Sequence, residues 1–136
     1  MSNFKQQVID FQRKAELAMR ATLRESAQDL TEDALEPKAK GGRMPVDTGA
    51  LRNSFVAGVN SFPSGPTTPE GLSTDFDLSP LLLAINKVNV GDRLVIATAM
   101  NYAKHQEAKS GFIRLAAQNW VSICEAAAKR VRRAIR

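Results

Sequence analysis

The sequence predicts an α+β fold: a long N-terminal helix and a C-terminal helix packed on a small, mainly antiparallel β-sheet, with one long extended loop. Three observations carry this. Apolar residues recur at helical spacing at both ends of the chain, two short β-rich runs lie between them, and a Pro-rich stretch unsuited to either element separates those runs. At 136 residues the chain fits one domain, 1–136.

Taken in order, residues 1–36 read as one long helix. Phe4, Val8, Phe11, Ala15, Ala18 and Leu30 follow a 4-3-4-3 pattern, weakened midway by Thr22 and Ser26, and no Gly or Pro occurs before Pro37. Some 30 helical residues rise roughly 45 Å, more than a domain of this size covers by itself. Either the helix breaks, or part of its stripe packs on another subunit. Lys38 to Arg43 reads as a flexible basic connector. Gly49 to Ser54 suits a short helical turn, capped by Asp47 or Thr48, and Phe55 to Val59 a strand.

Residues 60–80 hold four Pro and two Gly, with Phe62, Leu72, Phe76 and Leu78 as their apolar anchors. Loops this long are functional or disordered far more often than not. The expectation is a contact arm to a neighbouring subunit, its three acids facing Lys38, Lys40 and Arg43 of the next copy. The alternative is a segment folded back to shield its own sheet edge. Ser79-Pro80 then reads as a helix start with Ser at the N-cap, and Gly91 as the stop. Asp92 to Ala99 suits the second strand, Tyr102 to Glu107 a helical turn or two, and Phe112 to Ile135 an amphipathic helix within the basic terminal segment 111–136.

Charge is uneven. The net +5 equals the excess of residues 111–136, which hold six bases against one acid. Such a tail suits nucleic acid or an acidic protein face, although cations at a helix C-terminus also oppose the macrodipole. No run approaches the roughly 18 apolar residues of a bilayer-spanning helix, and the first residues lack the apolar core of a secretory signal. The expectation is a protein made and kept in a cytosol-like compartment, with no membrane partner.

The chemistry-bearing residues are few. A single Cys and a single His exclude an intrachain disulfide and a His-rich metal site. Asp47-Thr48-Gly49-Ala50 matches the catalytic tetrapeptide of retroviral-type aspartic proteases, but long helices flank it where those enzymes are nearly all β. The reading preferred here makes Asp47 and Thr48 caps and Gly49 a point of close backbone packing. His105 beside Glu107 lacks a Ser or Cys nucleophile in a recognisable context and reads as a surface residue. Cys124 reads as a small buried hydrophobe, Trp120 as a core or interface anchor. No active site, cofactor or small-molecule substrate is expected.

Three blocks, in order, carry a family resemblance. They are Met44-Pro45-Val46-Asp47-Thr48-Gly49-Ala50-Leu51-Arg52-Asn53-Ser54-Phe55, then Gly91 to Ala103 running into His105 and Glu107, then Lys109-Ser110-Gly111-Phe112-Ile113-Arg114-Leu115 ahead of an Ala-rich basic helix. Together they resemble the tail-component family of tailed bacteriophages, the HK97 gp10-like proteins, from about Pro45 onward with 60–80 as an insertion. The usual Glu-x-Gly-Thr/Ser is replaced by Glu107-Ala108-Lys109-Ser110-Gly111. The resemblance implies a structural virion protein without enzymatic activity. It would form a ring, commonly six-fold, that completes or terminates the tail at its head-proximal neck. Its partners would be copies of itself, the tail tube protein and the head–tail connector or stopper, with non-specific proximity to DNA in the lumen. Its places would be the virion and, during assembly, the host cytoplasm. Asp47, Thr48, Gly49, Leu51 and Arg52 would form the structural motif, and Tyr102 would sit at a subunit boundary. The competing classes are a basic nucleic-acid-binding module and, last, the protease.

Overall fold

The computed structural model describes residues 2–46, 49–72 and 75–135. Its element order is α1 (Ser2–Leu35), a 3₁₀ turn (Lys38–Lys40), α2 (Ala50–Asn53), β1 (Val56–Val59), α3 (Ser79–Ile85), β2 (Leu94–Ala97), α4 (Ala103–Ser110), α5 (Phe112–Gln118) and α6 (Trp120–Ile135). The two strands pair antiparallel, Val56 opposite Ala97 through Val59 opposite Leu94. The α+β class and the two flanking helices are as the sequence predicts.

α1 does not break. Gln6, Gln12 and Gln28 each hydrogen-bond an acid four residues on, and the Thr22 and Thr31 hydroxyls donate to the carbonyls of Ala18 and Ala27. The threonines therefore satisfy themselves within the helix instead of interrupting it. Past the helix end, residues 38–43 form a closed turn, which corrects the expected flexible connector. Met44 N–H donates to the Glu36 carbonyl, Gly42 N–H to Pro37, and Lys38 N–H to Met44, whose side chain is fully buried. A Cβ at Gly42 would collide with the Glu36 carbonyl, so the turn needs glycine there.

The core gathers Leu35, Met44, Ala50, Leu51, Phe55, Leu81, Met100, Ala103 and Phe112, with the Phe55 and Phe112 rings edge to face at 6.1 Å. Parts of residues 60–72 and 75–78 lie against this core. Leu72, Phe76 and Leu78 pack on it, Asn101 N–H donates to the Thr67 carbonyl, and Asn53 Nδ2 to Asp75. The expectation of an arm standing off the domain is thus corrected. Three apolar side chains find cover on their own subunit, which costs less ordering entropy than waiting for a partner. Phe62 is the exception, at 83% exposure.

Helix boundaries also differ from expectation. The N-cap of α3 is Leu78, not Ser79, whose N–H donates to Asp77 Oδ1, and α3 ends at Ile85, ahead of the turn holding Gly91. The expected single helix over Phe112 to Ile135 divides at Asn119. Both parts contact α1; Phe112 of α5 also enters the core and Ala116 is buried, while Ala127 and Val131 of α6 are buried where α6 runs along α1. Gly111, at φ +63°, ends α4, and the Glu107 carboxylate accepts the N–H groups of Ile113 and Arg114 at 2.9 and 2.8 Å. That carboxylate is the N-terminal cap of α5.

Two outcomes follow for stability. Glu107→Ala should destabilise the fold by about 1–2 kcal/mol, lowering the calorimetric melting temperature by several degrees. Asp92 is held below its ordinary pKa by the Asn60 side chain and the Asn89 N–H, bonds that close the ribbon end at Asn60 and Arg93. A lowered carboxyl pKa stabilises above the unfolded value and is lost as pH falls. Asp92→Asn should therefore flatten the loss of melting temperature on acidification below about pH 4.

Candidate subunit interface

α6 runs antiparallel to α1. Asn119 lies by Asp33, the Arg130 guanidinium bridges Glu25 at 3.1 Å and Asp29 at 2.6 Å, and Arg132 and Ile135 reach Lys14 and Ala18. α6 therefore covers α1 only from about residue 14 to residue 33. Residues 3–13 rise about 16 Å past that cover. They carry Phe4, Val8 and Phe11 at spacings of four and three, exposed by 72%, 48% and 75%. By the 3.6-residue period these lie on the same strip of α1 as Ala15, Ala18, Thr22 and Ser26. The uncovered ridge thus continues the strip along which α6 packs.

Beside α6 that strip opens into a groove of about 380 Å³ whose lining includes Ala18, Met19, Ser26, Trp120, Cys124, Ala128 and Arg132. Cys124 is half-buried rather than buried, and Trp120 stands at the rim with 37% exposure. The Ser26 hydroxyl is buried here without a hydrogen-bond partner.

The block around residues 44–55 has a structural explanation. Leu51 enters the core, and the Ser54 hydroxyl bonds the Leu51 carbonyl and the Thr98 hydroxyl, each at 2.6 Å, joining α2 to the end of β2. Arg52 Nε donates to the Leu35 carbonyl at 2.9 Å while its guanidinium stacks 3.6 Å above the Phe76 ring. One side chain thereby closes α1 and pins the 60–78 segment. Burial lowers the Arg52 pKa, with Glu36 opposing. Gly49 takes φ +86°, a left-handed conformation that glycine adopts without strain. Asp47 and Thr48, expected as caps, lie outside the described residues, as do Ser73 and Thr74.

The other expected interface residues are dispersed. Tyr102 is half-buried against the core and lines an open cleft of about 440 Å³ with Lys38, Val46 and Gln106. Lys38 and Lys40 are exposed. Arg43 pairs with Asp33 of its own α1 at 3.0 Å. His105 is exposed, and Glu107, its supposed partner, is occupied with the α5 amides. Among the described residues no group of three or more His, Cys, Asp or Glu is placed to hold a metal, and no helix is long and apolar enough to cross a membrane. The sequence leaves open that part of the α1 stripe packs on another subunit, without saying which part. The signal is an apolar spacing that runs on beyond the length one domain can cover.

No family model, no curated protein and no solved structure matches the chain.

Replacing Arg52 tests the explanation of the block. Arg52→Ala should cost about 2 kcal/mol, read from urea unfolding, as a charged hydrogen bond and a ring contact are lost together. Arg52→Lys should recover little, because an ammonium lacks the planar fork that serves both contacts at once. Full recovery by lysine would refute the dual role.

Proposed function

We propose that this chain is a structural subunit that assembles with copies of itself. The observation that carries the reading is the bare α1 ridge, Phe4, Val8 and Phe11 in register on a helix held rigidly at its other end. Phe4 and Phe11 stand two turns apart with Val8 between them, a contiguous apolar strip of large side chains left in water. The exposed basic residues Arg132 and Arg133 favour a nucleic-acid module less, since Arg130 between them and the α1 acids is already spent on Glu25 and Asp29.

The three sequence blocks resembling phage tail components supply the particular role. The subunit would form a head-proximal ring that completes or terminates the tail of a tailed bacteriophage, joining tail tube to head–tail connector. The arrangement suits that role: residues of the first block brace the fold, and the apolar surface left over faces outward. A ring subunit needs complementary faces for its own copies and for the rings above and below it.

Light scattering coupled to gel filtration, followed by negative-stain imaging, tests this directly. The expected result is a closed ring that co-purifies with a phage tail tube protein when the two are expressed together. A monomer at every concentration, or an oligomer that disperses with salt and binds duplex DNA, would overturn the proposal.

A further inference from the structure

The ridge and the groove lie on one strip of α1, one half bare and the other half partly covered by α6. We infer that the ridge of one copy, Phe4, Val8 and Phe11, docks in the groove between α1 and α6 of a second copy, against Met19, Trp120 and Cys124. The inference rests on the self-assembly reading and adds which surfaces meet.

Shape supports the match. The ridge presents large side chains at four- and three-residue spacing, and the groove is lined by small residues, Ala18, Ser26 and Ala128, set among larger ones such as Leu23 and Val131. Large side chains entering the gaps that small ones leave are the basis of ridge-into-groove helix packing. Continuity supports it as well, because α6 already packs on this strip of α1 within the subunit. The incoming helix would extend an existing two-helix contact into three. Charge points the same way. Residues 3–13 carry Lys5, Asp10 and Arg13, net +1, so they bring little like charge against Arg132, which lines the groove. A contact built from the ends of two α6 helices would instead oppose Lys129, Arg132 and Arg133 to themselves. The contact also covers both apolar surfaces of α1, whereas ridge-to-ridge pairing leaves the groove and Trp120 open.

Cys124 is the chain's single cysteine and lines the groove, so it reports the contact. Val8→Cys and Phe11→Cys, made separately in the full-length protein, are treated with a short thiol-to-thiol crosslinker and run on a denaturing gel. Both positions are exposed, and circular dichroism should show an unchanged helix signal. The expected result is covalent joining between subunits at one or both positions, abolished by adding Cys124→Ser, and absent from a Lys87→Cys control on the exposed turn after α3.

Failure to join subunits at either position, in protein that light scattering shows to be assembled, would overturn the docking while leaving self-assembly standing. Joining that persists with Cys124→Ser would also overturn it, since that product is ridge against ridge. A monomeric protein would overturn both. Where joining does run through Cys124, a ladder reaching beyond the dimer marks head-to-tail contact, as a ring requires. A product that stops at the dimer keeps the docking and excludes the ring.

Discussion

A 34-residue helix is attached to a domain that covers little more than half of it, and the other features of the molecule arrange themselves around that constraint. An isolated helix segment of a dozen residues is marginal in water, so the outer part of α1 depends on the inner part for nucleation and on contacts for the rest. The inner part is held from two sides. α6 lies along it with Arg130 bridged to Glu25 and Asp29, and the core takes Leu35 and Ala27. What projects is a helix end bearing a phenylalanine ridge. Its first turns are nucleated by the held part, and contact with a second copy supplies the cover they lack on their own.

The helix end is useful only if its base is fixed, and the residues around α2 fix it. Arg52 ties the last carbonyl of α1 to the Phe76 ring, Ser54 ties α2 to Thr98, and the turn over 38–43 brings Met44 into the core beside Leu35. A block whose Asp-Thr-Gly matches a catalytic motif is, in the residues described, a bracing device. Leu51, Arg52 and Ser54 each have a packing or hydrogen-bonding duty. Glu107 has a similar one at the other side of the core, where it caps α5.

The elements with strong local signals were legible in the sequence. α1, the two strands and the helical turn after Gly49 follow from periodicity and from the placement of Gly and Pro. The division at Asn119 was not legible, because Asn is tolerated within a helix and nothing local says that Phe112 enters the core while Ala127 and Val131 follow α1. Nor was the path of residues 60–78. Its prolines exclude a central strand but do not say which surface receives Leu72, Phe76 and Leu78. The closed turn at 38–43 depends on Met44 reaching the core, a tertiary fact with no local signature. For the interface the sequence held half the information. It showed a stripe too long for the domain, but which end stays bare depends on where α6 lies.

The central claim is that residues 3–13 keep their helix through contact with another copy, and amide hydrogen exchange measured across protein concentration tests it most directly. Protection at residues 3–13 should fall steeply on dilution through the dissociation range, while residues 20–35, held by α6 and the core, keep theirs. Exchange at residues 3–13 that is the same at every concentration would contradict the account.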